Sequence, residues 1–289
     1  MRRHLARRLW LATEPVHALV YFAPEAKAAY DAAGLRGWWM GYFAGRSAAM
    51  GAVGAEVVAA TFYNFHPAMV ARAIPDAWGF ATPSRVLQAR FEATDAALRR
   101  VLGPLVEDRS TAAAADLLQQ AVATADPAGR PLFAAHQGLP WPEEPHLRLW
   151  HGATLLREHR GAGHVVALVS KGIDGIEAHL TLIAEGTVTA EIMAPNRGWS
   201  PDDWEAARDR LRDRGWLRRD GELTAVGHAV RDAVEARTDE LASAPLAVLG
   251  EDGAARLLDL MQGPLGAVAA AHAIPYPNPI GLPAPGPRS

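Results

Sequence analysis

Apolar positions along most of this chain recur every three or four residues, the spacing of one face of a helix. The clearest run is 83–102, where Val86, Leu87, Phe91, Leu98 and Val101 keep that spacing. Thr82-Pro83 supplies its N-cap and first-turn proline, and Gly103-Pro104 ends it. Upstream, Thr13-Glu14-Pro15 and Pro24-Glu25 each read as a helix start, and Gly34 stops the second. The stretch 35–45 alternates Trp38, Trp39, Tyr42 and Phe43 with Gly37, Gly41 and Gly45, a pattern for close helix approach with aromatics filling the space beside it. The run 55–65 is apolar enough for a buried helix, and it should stop at Asn64-Phe65-His66-Pro67, since a residue before proline disfavours the α region. A short helix over 67–73 follows, broken by Pro75.

A further helix is predicted over 110–125, with Leu117, Leu118 and Val122 on one side. The stretch 126–145 is crowded with Pro127, Gly129, Pro131, Gly138, Pro140, Pro142 and Pro145 and is the expected domain boundary. Next comes a helix over 146–160, a break at Gly161-Ala162-Gly163, and a second helix over 164–171 that Gly172 caps. Asp174 caps a helix over 175–185, and Ser200-Pro201-Asp202-Asp203 starts one over 200–214. Residues 216–224 read as two short strands about Asp220-Gly221, and Thr224 opens a long helix to about 242. A last helix covers 251–262 and extends toward 272. The expectation is a mainly α protein: an N-terminal helical bundle (1–135), then a winged-helix domain with a short β-hairpin wing and long C-terminal helices (146–272), then a Pro-rich, extended or disordered tail (273–289).

Composition narrows the classes. The chain has 289 residues, 49% of them hydrophobic, enough for a sizeable core. A net charge of -3 gives no global attraction to nucleic acid or an anionic membrane. With no cysteine, disulfides, thiolate nucleophiles and Cys-ligated metals are excluded. The basic N-terminus lacks a signal peptide's apolar stretch, and no run of about 18 apolar residues occurs, so a cytoplasmic protein without membrane contact is expected. The P-loop, Gly-x-Gly-x-x-Gly and Gly-x-Ser-x-Gly patterns are absent.

The segment 207–227, Ala-Arg-Asp-Arg-Leu-Arg-Asp-Arg-Gly-Trp-Leu-Arg-Arg-Asp-Gly-Glu-Leu-Thr-Ala-Val-Gly, resembles the recognition-helix-to-wing segment of MarR-type regulators. The whole chain also resembles an actinobacterial family of helix-turn-helix-like proteins, through Gly54–Trp78 and Trp150–Leu168. These resemblances imply a winged helix, with helix 224–242 as a homodimerisation element, and imply no particular activity. DNA is a possible partner, through Arg208, Arg212, Arg218 and Arg219. It is disfavoured because helix 200–214 carries Asp202, Asp203, Glu205, Asp209 and Asp213, and phosphate repulsion opposes groove insertion. The preferred reading of that helix is a solvated, salt-bridged one.

Candidate chemistry gathers at the centre. His136, His146, His151, His159 and His164 fall in or just before 150–164. His151, Thr154, Leu155 and Glu158 share one helical stripe, and His164 begins the next helix after the glycine break; His151, Glu158 and His164 are candidate catalytic residues for acid–base work. Arg160 and His164 beside the glycine break form a candidate anion site. His151, His159, His164 and Glu158 are a possible metal set, although no metal motif fits and no cofactor is identified. Arg46, Asn64, His66, Arg160, Trp39 and Tyr63 are candidate ligand contacts, with Glu56 and His66 as a second acid–base pair. His4, His228 and His272 read as surface residues. The favoured function is binding of a small, partly aromatic ligand between the halves, with catalysis on it left open. The alternatives are a ligand-responsive MarR-like DNA-binding regulator and a partner-binding scaffold.

Overall fold

In the computed structural model, residues 2–284 are described; residues 285–289 of the expected tail and the side chain of His4 lie outside the described residues. Most of the described residues are helical. In order it forms α1 (Arg2–Phe22), α2 (Pro24–Ala32), α3 (Gly37–Ser47), α4 (Ala55–Phe62), α5 (Pro67–Ala71), α6 (Ala77–Phe80), α7 (Pro83–Leu102), α8 (Arg109–Ala123) and α9 (Pro131–Gln137). The second half forms α10 (Pro145–Ser170), α11 (Gly175–Ala184), α12 (Ala190–Met193), α13 (Pro201–Asp213), α14 (Ala225–Leu241), α15 (Ala244–Ala247), α16 (Gly250–Leu260) and α17 (Gln262–Ala270).

Two expected breaks are not there. Pro15 lies inside α1, which runs on to Phe22. The Gly161-Ala162-Gly163 break is also overturned: α10 is one 26-residue helix. Its glycines are contact points instead. A Cβ on Gly152 would lie 2.7 Å from Leu118 Cβ of α8, and one on Gly163 would lie 3.1 Å from Leu241 Cβ of α14. Glycine costs an exposed helix about 1 kcal/mol against alanine. Here the helix is enclosed by α1, α7, α8, α9 and α14, and close packing offsets that loss.

One apolar core runs from Ala6 of α1 through Leu118, Trp150 and Leu257 to Leu282. The expected boundary at 126–145 therefore crosses a continuous core, because α10 packs on α8 and α1. The tail is non-helical but not loose as far as it is described. Ile274, Asn278 and Leu282 are buried, and Asn278 exchanges hydrogen bonds with the Leu282 backbone.

A smaller core joins Ile176 and Leu180 of α11 to Trp204, Ala207 and Leu211 of α13, and to Leu217 and Leu223 beyond it. Here α11 is capped by Asp174 and Glu177, and α13 by Ser200 and Asp203, as reciprocal capping boxes. The expected two-stranded wing is reduced to a single antiparallel bridge, Leu217 to Leu223; no strand or sheet occurs among the described residues. Trp216–Thr224 makes too few ladder bonds for a strand, and burial of Leu217 and Leu223 holds it in place. The α14 helix turns one face to α10 and α1 within the same chain. Among the described residues no helix is long and apolar enough to cross a membrane.

Candidate functional site

The α10 helix explains where the candidate residues go. Successive helical residues project about 100° apart, so Glu158, His159 and Arg160 must face three directions. Glu158 turns to α3 and α1. His159 turns to α9, its ring edge-on to Phe133 at 5.1 Å. Arg160 turns to α14, 2.7 Å from Asp239, with Trp10 beneath its guanidinium. His151 shares the Glu158 stripe but lies two turns away, roughly 10.5 Å along the axis. It is enclosed by Trp141 and Phe91, and neither of its ring nitrogens has a protein partner. The expected grouping of His151, Glu158 and His164 is thus not formed. Nor is the His151, His159, His164 and Glu158 metal set; among the described residues no three His, Asp or Glu converge on a metal position.

What does converge is a buried charge ladder. The Arg46 guanidinium lies 3.2 Å from Glu158 Oε1 and 3.3 Å from Oε2. Arg157 donates to Glu158 Oε2 at 3.0 Å and reaches Glu14 at 3.7 Å. Arg46 also donates to the Tyr42 hydroxyl at 3.1 Å and lies 4.1 Å from the Phe62 ring centre. Burial by itself would raise the Glu158 pKa, but Arg157 and Arg46 outweigh it and hold that carboxylate well below its usual range. Glu14, with weaker compensation from Arg157, is raised by burial.

Beside this ladder runs a chain of neutral groups. The Thr154 hydroxyl donates to the Trp150 carbonyl at 2.9 Å, so it must accept from His17 Nδ1, also at 2.9 Å. His17 Nε2 then accepts from the Tyr21 hydroxyl at 2.8 Å. Burial lowers the His17 pKa well below its ordinary value and raises Tyr21 to about 12, so both stay neutral and the chain is structural.

The ladder forms one side of a cavity of about 420 Å³ between α3, α4, α10 and α11. Of the expected ligand contacts, Arg46, Tyr63 and Asn64 line it, and Glu158 and His164 line it too. His164 is tied on its other side to Thr238 of α14 at 2.9 Å. Tyr63 ends α4 at φ 65°, a left-handed conformation uncommon outside glycine, and its hydroxyl is anchored on the Ile173 carbonyl. The helix thus ends at Phe62, three residues short of the expected 65, and Tyr63, Asn64 and Phe65 line the cavity. The other expected contacts lie elsewhere. Trp39 packs among Tyr42, Phe43 and Phe65. His66 caps α5 by accepting from the Ala68 N–H and meets Trp199 at 4.8 Å. Glu56 is exposed, so the Glu56–His66 pair has no buried setting. Arg160 belongs to the α14 network.

Sequence patterns missed Glu14, His17, Arg157, His179 and Arg197. The contacts that place them are mostly remote in sequence (His17 and Thr154 are 137 residues apart), so no local spacing announces them. The one available signal was the adjacent opposite charges Arg157-Glu158 on a helix with little exposed surface. His179 and Arg197 occupy the far wall of the cavity, with Nε of Arg197 donating to His179 Nε2 at 3.1 Å.

The α11–α13 unit borders the same cavity. Its arginines are engaged: Arg208 with Glu205 at 2.9 Å, Arg212 with Glu205 and Asp209 at 2.9 Å, and Arg218 with Glu222 at 3.2 Å. Arg219 is exposed. Asp202, Glu205, Asp209 and Asp213 line the open face of α13, the salt-bridged surface its sequence predicts.

No curated protein and no solved structure matches the chain. A helix-turn-helix family matches residues 6–275, nearly the whole length and both sides of the cavity, and the chain belongs to that family.

Proposed function

We propose that this is a small-molecule-binding helix-turn-helix protein, with its ligand held in the cavity between α3, α4, α10 and α11. The observation that carries this reading is the double role of α11. Ala178, His179 and Leu182 wall the cavity, while Ile176 and Leu180 pack in the core that holds α13. A ligand shifts a helix-turn-helix unit between arrangements only by binding one of them more tightly, and α11 is the element through which such a difference would reach α13. The volume falls within the range of small-ligand pockets. Binding is favoured over catalysis because Glu158 is held ionised between two arginines, a poor donor or acceptor of protons at neutral pH.

The test is a fluorescence titration with the uncharged dye N-phenylnaphthylamine, on the wild type and on Ala162→Phe, which fills the cavity from α10. Saturable binding that the variant loses, with slowed amide exchange in α11–α13, is the expected result. Absence of saturable binding, or equal binding by the variant, overturns the reading.

Family membership favours a second reading, a ligand-responsive DNA-binding regulator that uses Arg208, Arg212, Arg218 and Arg219 on phosphates. The paired arginines and acidic face of α13 weigh against it. Anisotropy with a labelled random duplex at low salt decides. Binding whose logarithm falls linearly with log salt establishes this reading, and its absence removes it.

A further inference from the structure

Arg197 is 5% exposed and sits in the cavity wall between α12 and α13. Among the described residues no carboxylate is paired with it. Its N–H groups go to the Asn196 carbonyl at 2.9 Å, to the Pro279 carbonyl and to His179 Nε2 at 3.1 Å. The Phe65 ring centre lies 4.8 Å from its guanidinium. A buried cation held only by neutral groups is costly, and burial lowers the Arg197 pKa to about 10.

The contact with His179 fixes a proton. A guanidinium has no lone pair to offer, so Arg197 donates and His179 Nε2 accepts. The neutral ring then carries its hydrogen on Nδ1. That atom is buried and has no protein partner, and His179 itself is 2% exposed. His179 Nε2 also lies 3.2 Å from the Asn64 carbonyl, but as the acceptor for Arg197 it has no hydrogen to give there, and Trp199 Nε1 donates to that carbonyl at 3.2 Å. One wall of the cavity therefore carries a guanidinium without a counter-charge beside a neutral imidazole whose Nδ1 is sealed from solvent. Around the whole cavity the lining guanidiniums are Arg46, Arg157 and Arg197, against the single lining carboxylate Glu158. Most of the remaining lining is apolar or aromatic, including Phe62, Phe65, Leu182 and Met193, with Thr61, Asn64 and His164 as polar positions.

Resting on the small-molecule reading above, we infer that the cavity takes a small organic monoanion. A carboxylate- or sulfonate-type head sits at Arg197 and His179, and an aromatic body lies against Phe62, Phe65 and Leu182. The head supplies the negative charge that Arg197 lacks, and the body replaces water on the apolar lining.

The experiment compares two dyes with the same rings, the anionic anilinonaphthalene sulfonate and the uncharged N-phenylnaphthylamine. The wild type is expected to bind the anion at least about tenfold more tightly, the scale of one charge-assisted hydrogen bond. Arg197→Gln should bring that ratio close to one. Because the variant removes a buried anchor, a second measurement uses the wild type alone: benzoate should displace the neutral dye at about tenfold lower concentration than benzamide. Parity between charged and neutral partners in both wild-type comparisons overturns the inference while leaving a ligand cavity in place. If neither dye binds, or Ala162→Phe binds both as well as the wild type, the cavity reading itself falls and this one with it.

Discussion

Acidification should unfold this protein early, and the cause is countable. His17, His136, His151, His159 and His179 are each no more than 2% exposed. Burial is the first cause of each shift: it lowers His136 and His179 to about 3 and His151 and His159 to about 4, and it holds His17 well below 6.5. In the unfolded chain the same rings titrate near 6.5. Between about pH 7 and 5.5 the unfolded state therefore takes up protons that the folded state refuses, so stability falls as pH falls. Each ring costs about 1 kcal/mol over that interval, and the five together about 5 kcal/mol. That is on the scale of a whole domain's stability, roughly 5–15 kcal/mol. Glu14 works the other way: its raised pKa lets the folded state accept a proton first, which offsets part of the loss. Glu158, held low, stabilises above its unfolded value of 4.5 and adds its own loss only below it. Urea unfolding followed by circular dichroism at both pH values, at constant ionic strength, measures the difference. A change below about 1 kcal/mol would refute the premise that these rings are kept neutral by burial.

Three substitutions test the packing around the site. His151→Phe should stabilise by about 1 kcal/mol or more and remove one proton from the pH slope, because it replaces two unpartnered nitrogens inside an aromatic enclosure; a loss in the urea midpoint would instead mean that the imidazole has a use there. Glu158→Gln leaves buried Arg46 without its counter-charge and should cost about 3–5 kcal/mol, seen as a melting temperature lower by on the order of 10 °C. A loss under about 1 kcal/mol would show that cavity water already screens the pair. Gly175→Ala places a Cβ 2.3 Å from the Tyr63 carbonyl oxygen and 2.8 Å from Asn64 Cα, both backbone atoms that cannot rotate away. About 2–3 kcal/mol should be lost, with faster amide exchange in α11, and wild-type stability would contradict the tight seating of α11 on the Tyr63 kink.

Local chemistry made the capped helices readable before any coordinates. Thr82-Pro83, Asp174, Ser200-Pro201 and Thr224 each act on the N–H groups of their own first turn, so each start lies where the residues put it. The acidic, self-paired face of α13 was readable for the same reason, since its partners are three or seven residues away on one helix. Gly161 and Gly163 misled because propensity counts what an isolated helix loses, whereas α10 is enclosed and α14 comes close enough to need the missing side chain.

The sequence by itself determined the helical class, the helix starts at their caps, the lack of a cysteine-based site and the charge balance of α13, all properties that residues settle with near neighbours. Tertiary structure alone decided that Arg46 of α3 meets Glu158 of α10, that consecutive residues of α10 serve different neighbours, and that Arg197 and His179 face the same cavity. Those outcomes depend on which helices pack against which. Burial turns a weak surface attraction into an interaction strong enough to set a charge state, and burial is a property of the assembled core that no short stretch of chain contains.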